Sequence, residues 1–130
     1  VPQNVFIIGM MNTADRSLAM IDYALRRRFC FIEIEPAFNT QSFRKHLADS
    51  GIHVDLIEKI ISRLNYLNSQ IASDSNLGRG FRIGHSYFCN PSTDENWYQS
   101  VIEYEINPLI EEYWFDNEEK AQEYMDYLLG

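Results

Sequence analysis

Met10-Met11-Asn12-Thr13-Ala14-Asp15-Arg16-Ser17 stands where a short apolar run ends and a helical pattern begins. The run before it, Val5-Phe6-Ile7-Ile8, is β-branched and aromatic, and Gly9 closes it, which reads as a strand covered on both faces. In open α/β sheets the crevice at the strands' carboxyl ends receives ligands. Asn12 and Asp15, three residues apart at this turn, are therefore candidates for orienting a reactive group. Asp15 and Ser17 also suit the plainer task of capping the helix that follows.

Downstream of the turn, Leu18, Ile21, Ala24 and Leu25 share one helical face, and the helix is expected from about Ser17 to Arg27. It ends on Arg26-Arg27-Arg28, and a second apolar run, residues 29–34, follows. Two parallel strands joined by a helix make a right-handed β-α-β crossover. A cation at a helix C-terminus gains about 0.3–1 kcal/mol from the macrodipole, which accounts for one arginine better than for three. Successive residues turn by about 100°, so the three guanidiniums cannot all serve one set of carbonyls. At least one is expected to face an anionic ligand or a neighbouring subunit.

The block from Asn4 to Ser17, together with Asp22-Tyr23-Ala24-Leu25-Arg26-Arg27-Arg28-Phe29, resembles the later half of an AAA+ nucleotidase core. More narrowly it is similar to the McrB family, the GTP-hydrolysing subunits of modification-dependent, 5-methylcytosine-specific restriction endonucleases. Gly78-Arg79-Gly80-Phe81-Arg82-Ile83-Gly84-His85-Ser86-Tyr87-Phe88 and Pro108-Leu109-Ile110-Glu111-Glu112-Tyr113 resemble that family's C-terminal helical subdomain, so the similarity runs the whole length. The resemblance implies an α/β remnant of an AAA+ core, two parallel strands and a helix over residues 1–36, followed by an all-α helical lid over residues 37–130. It implies Asn12 as the sensor amide, Asp15 as its orienting partner, and Arg27 or Arg28 as the finger that crosses to the next subunit. Arg26 is expected to be the structural arginine, with Asp22 one turn before it. Arg82 falls in the region of the second sensor, where a lid arginine meets nucleotide phosphates.

The chain departs from that pattern in one respect. It has no G-x-x-x-x-G-K-[ST] loop and no strand ending in paired acids for magnesium. It is therefore expected to be the C-terminal part of a longer protein, inactive alone and holding no nucleotide. The resemblance implies GTP and Mg2+ for the full-length protein. The implied partners are identical subunits in a hexameric ring, an endonuclease subunit, and modified DNA read through an upstream domain. An ATP-using AAA+ motor of the MoxR or dynein-related kind, and a non-enzymatic helical interaction module, stay open beside this reading. In the family's core the phosphate-loop strand lies between the two strands quoted above. Its absence leaves a slot, and such unpaired edges invite other partners. The first 36 residues are expected either to pair the two strands directly or to borrow one from another copy.

Of 130 residues, 45% are apolar, enough for one domain or for a small domain with an appended piece. The net charge of −8 comes wholly from residues 101–130, which hold nine Asp or Glu and one Lys. That tail disfavours a grip on phosphate backbones and reads first as a solvated helix face. Cys30 and Cys89 lack a C-x-x-C pattern and read as reduced core residues, and His46, His53 and His85 are too scattered for a zinc site. No run has the roughly 20 apolar residues of a membrane span, and no charged leader precedes an apolar core. A cytoplasmic protein is expected.

Beyond Pro36 the pattern is helical. Asn39 or Thr40 caps a helix to about Ala48 with Phe43 and Leu47 inward, and Gly51 closes it. Leu56, Ile57, Ile60, Ile61, Leu64, Leu67 and Ile71 form a stripe over the next helix. Residues 73–80 read as a loop delivering Phe81 and Arg82, the latter with a packed stem and a directed head. His85 and Ser86 are expected to make local turn hydrogen bonds. A helix from about Thr93 carries Trp97, Val101, Ile102 and Ile106 to Pro108, which is expected to kink or break it, and a last one from about Asn117 presents Ala121, Tyr124, Met125 and Leu128.

Overall fold

The computed structural model describes residues 2–12, 14 and 27–130. The chain divides into two compact units, Val1–Glu33 and Ile34–Gly130.

In the first unit neither apolar run forms a strand. Phe6 and Ile8 are at least 90% exposed, and the backbone before them makes a local turn, Val5 N–H donating to the Pro2 carbonyl at 3.2 Å. This corrects the expected pair of strands, and the two runs do not pair directly with each other. The physical reason is that β-branched composition only suits a residue to a pleated surface. The strand itself is made by a ladder and two covering faces. Cys30 is accordingly exposed, not a core thiol, while Cys89 is half-buried; both are free. The crossover helix lies outside the described residues apart from Arg27, which sits with Arg28 in a turn.

The second unit is all-helical, as expected. Its elements are α1 (Gln41–Asp49), α2 (Val54–Ser73), 3-10 turns at Arg79–Phe81 and His85–Phe88, α3 (Trp97–Val101), a π-helical turn (Ile102–Ile106), α4 (Asn107–Tyr113) and α5 (Glu118–Leu129). Thr40 caps α1 by accepting from Phe43 N–H at 3.2 Å. At the far end Gly51 adopts φ of +88°, the left-handed turn that lets Ile52 N–H reach back to the Leu47 carbonyl at 3.1 Å. Along α2, Ile60, Leu64, Leu67 and Ile71 are wholly buried, as a stripe at three and four requires. They meet Phe38, Phe88, Ile102, Ile106, Ile110 and Leu128 in one apolar cluster.

Two departures from the expected helices have local causes. The helix expected from Thr93 begins at Trp97, because Ser92 and Asp94 hold a turn instead: Asp94 Oδ1 accepts from Asn96 N–H at 2.7 Å and the Asp94 carbonyl from Trp97 N–H at 3.0 Å. Pro108 neither breaks nor sharply ends the helix. It lacks the N–H that would bond four residues back, and the preceding turn widens so that Asn107 N–H donates to the Ile102 carbonyl, five residues back.

Helix termini leave orphan groups, and the end of α5 shows how they are met. Arg63 on α2 donates to the Leu128 carbonyl at 2.8 Å, Tyr98 on α3 donates to the same oxygen at 2.6 Å, and Lys59 reaches the Leu129 carbonyl at 3.4 Å. Burial pushes the Tyr98 hydroxyl up to about 12. Cations at a helix C-terminus also complement its dipole.

Asp74, just past α2, ties three elements together. Its Oδ2 accepts from Trp114 Nε1 at 3.0 Å and Lys120 Nζ at 3.1 Å, and Oδ1 accepts from Asn76 N–H at 2.9 Å. The Trp114 hydrogen bond, followed by those from Asn76 and Lys120, holds the carboxyl down at about 2. A depressed folded value means stability present above the unfolded value and lost as pH falls through the folded one. Asp74→Asn is expected to cost about 2–3 kcal/mol at pH 7, and the deficit should shrink between pH 4 and pH 2. Urea unfolding of both proteins across that range is the check, and a pH-independent deficit would refute the ionic role.

Candidate functional site

The site is built on the loop between α2 and the second 3-10 turn. Gly78 stands at φ of +90°, a conformation that L side chains rarely adopt, and its N–H donates to the Ile71 carbonyl at 3.1 Å. The chain then turns through Arg79–Phe81, and Phe81 packs edge-on against Tyr113, with ring centroids 5.6 Å apart. Ile83 is 2% exposed. Its backbone is gripped from α2 by Asn68, whose Oδ1 accepts from Ile83 N–H at 2.6 Å and whose Nδ2 donates to the Ile83 carbonyl at 2.9 Å. One buried side-chain amide thus satisfies both backbone groups of one loop residue.

Arg82 is fixed between these anchors. Its side chain is 17% exposed, Nε donates to the Arg79 carbonyl at 2.9 Å, and its head group lies 3.6 Å from Glu35 Oε1. The stem is packed and the head is directed, as expected, and among the described residues Glu35, beside Pro36, is an acid it meets. Arg79 pairs with the same Glu35 oxygen. Two guanidiniums therefore converge on one carboxylate. Both Arg79 and Glu35 are more than half exposed, so the pairing is weak and exchangeable against a stronger anion. A forked, permanently charged donor set of this kind suits a phosphoryl group.

His85 does something its neighbours in sequence do not predict. Its Nδ1 accepts from Ala37 N–H at 3.1 Å, which leaves the ring proton on Nε2, and the ring stands edge-on to Phe38 and Phe43. It pins the segment entering α1 against the arginine loop, correcting the expected local turn bond. The other two histidines also have structural partners: His53 caps α2 by accepting from Asp55 N–H at 3.3 Å, and His46 Nε2 lies 2.8 Å from the Cys89 carbonyl. Among the described residues no group of three His, Cys, Asp or Glu could hold a metal ion.

The remaining sequence candidates belong to the first unit. Asn12 is exposed, and its Oδ1 accepts from Ala14 N–H at 3.0 Å in a local turn. Arg27 and Arg28 are exposed. Asp15, Asp22 and Arg26 lie outside the described residues. Asn68, Glu35 and Arg79 were not singled out by the sequence reading. The available signal for Asn68 was its place in the stripe, four residues after Leu64 and three before Ile71, where a polar side chain must find buried partners.

The family model described as the McrB alpha-helical lid domain matches residues 59–122. The match takes in most of α2, the arginine loop, α3, the π turn, α4 and the start of α5. The whole chain is 49% identical to the Type IV methyl-directed restriction enzyme EcoKMcrB subunit of Escherichia coli (strain K12), over an alignment of 136 residues. That alignment takes in 100% of this chain and 30% of the relative's length. Among the described residues no helix is long and apolar enough to cross a membrane.

Proposed function

The chain belongs to the McrB family, and from that membership we propose that it is the C-terminal part of an AAA+ GTP-hydrolysing motor subunit in a methyl-directed, 5-methylcytosine-specific DNA restriction system. The observation that carries the proposal is the 49% identity extending over 100% of the chain to a subunit whose name states methyl-directed restriction. In this reading residues 1–36 are the last piece of the nucleotidase core, and their two apolar runs become strands once the phosphate-loop strand lies between them. Residues 37–130 are the lid, working in a hexameric ring with an endonuclease subunit and with modified DNA held by another domain, in the cytoplasm.

Each residue is then given one task. Asn12 offers an amide that hydrogen-bonds an attacking water and a γ-phosphate oxygen, Asp15 orients it, and Arg27 or Arg28 meets the spreading negative charge from a neighbouring subunit. Arg82, with Arg79 beside it, takes phosphate oxygens in place of Glu35. The arginine pair fits a triphosphate as a donor set, and bound GTP supplies the bond that is cleaved. Mg2+ is assigned to no residue of this chain.

The test is nucleotide binding and turnover by the full-length protein with GTP and with ATP. GTP is the expected substrate. Arg82→Ala should weaken GTP binding by about 10- to 100-fold, as loss of a charge-assisted hydrogen bond implies, while Arg79→Ala, at a more exposed position, should do less. Equal turnover of ATP would assign the chain to an ATP-using motor. Unchanged GTP affinity in Arg82→Ala would remove the arginine from the nucleotide site.

A further inference from the structure

We propose that the groove between the second 3-10 turn and the α3–π stretch is a docking site for a lysine- or arginine-bearing segment of a partner protein. It is an open groove of about 500 Å³, within the roughly 300–1,000 Å³ typical of small-ligand sites. Tyr87, Asn90, Trp97, Ser100, Tyr104 and Glu105 are among the residues that line it. No Lys or Arg is among the residues that line it.

Its chemistry selects a cation on an apolar stem. Tyr104 is 76% exposed and comes from the π turn, and aromatic faces attract ammonium and guanidinium groups. Among the described residues the Glu105 carboxylate has no ion-pair or hydrogen-bond partner, whereas its neighbour Glu103 is engaged by Gln99 at 2.7 Å. The hydroxyl of Ser100 and the amide of Asn90 supply acceptors for the remaining N–H groups. Charge complementarity names the occupant. Residues 101–130 carry nine acids against one Lys, so a basic segment is drawn to this part of the lid before the groove selects one side chain. Nucleic acid, with its phosphates, is repelled by the same field. The inference is independent of the nucleotidase reading, since no residue of the arginine loop takes part.

The probe is a blocked pentapeptide, acetyl-Ala-Arg-Ala-Arg-Ala-amide, titrated into the isotope-labelled 130-residue chain at about 0.15 M salt and followed by amide chemical shifts. Shifts confined to residues 86–90 and 97–105 are expected. The same peptide with citrulline for arginine, equal in shape and uncharged, should bind at least about tenfold more weakly. Tyr104→Ala should weaken binding about 3- to 30-fold and Tyr104→Phe should not, and Tyr104 is too exposed for either change to threaten the fold. Glu105→Gln should weaken it similarly, whereas Glu119→Gln on α5 should leave it unchanged. Absence of shifts at millimolar peptide overturns the proposal. So do shifts spread along α5 that Glu105→Gln leaves intact, which would mean diffuse charge attraction. Groove shifts that grow with protein concentration alone would make the occupant a second copy, and would overturn it equally.

Discussion

On the finger role proposed for Arg28, full-length rings in which every subunit carries Arg28→Ala are expected to lose GTP turnover by a factor on the order of 10³–10⁵, with nucleotide binding kept. The size follows from the transition state. Charge spreads over the transferring phosphoryl oxygens as the bond loosens, and a guanidinium aimed there stabilises the transition state more than the bound ground state. A residue acting that way changes turnover and spares affinity. Because a finger serves the neighbour's nucleotide, mixing gives a second readout. Wild-type and variant subunits combined in one ring should show activity that depends on which neighbour is intact, not merely on how many are. Arg27→Ala should be compared directly, since Arg27 and Arg28 are both exposed at the end of the same run. Asn12→Ala should also abolish turnover while sparing binding, but within its own subunit and with no effect on a neighbour. Mixed rings in which Arg28→Ala subunits neither poison nor are rescued would sink the finger role.

What could be read from the sequence divides along physical lines. The α2 stripe and the Thr40 cap depend on residues a few positions apart, and such local patterns fix helices. The residues 5–8 and 29–34 have strand composition, yet strand formation depends on neighbours that composition does not specify. Asp74 lay in a polar stretch that looks like any loop. Its importance comes from Trp114 and Lys120, at least 40 residues away in the chain. His85 is similar, since the Ala37 N–H it accepts from is 48 residues distant. Arg82 was legible because its flanking Phe81 and Ile83 imply a packed stem. The identity of its acid was not, because Glu35 adjoins a run whose own expected structure was a strand.

The largest stability effect is expected at Asn68, where the loop's position depends on one amide. Asn68→Ala removes two hydrogen bonds, and Ile83 N–H and C=O are then left buried without partners. Each such loss costs about 1–3 kcal/mol, so a deficit of about 2–6 kcal/mol is expected, or a melting temperature lower by roughly 10–30 °C for a domain of about 100 residues. Loss of volume alone predicts a smaller penalty and leaves the loop's exchange behaviour unchanged. Hydrogen exchange at Ile83 N–H separates the two, being slow in the wild type and fast in the variant. Asn68→Asp sharpens the case. An ionised Asp still accepts from Ile83 N–H but faces the Ile83 carbonyl with a second acceptor, whereas its protonated form donates there as the amide did. Its carboxyl should therefore titrate above the ordinary range, and a raised folded value contributes stability at low pH that is lost as pH rises through it. Asn68→Asp should thus lie closer to wild type at pH 4 than at pH 7. A deficit within about 0.5 kcal/mol for Asn68→Ala, or the opposite pH trend for Asn68→Asp, would show that the loop holds Arg82 by other means.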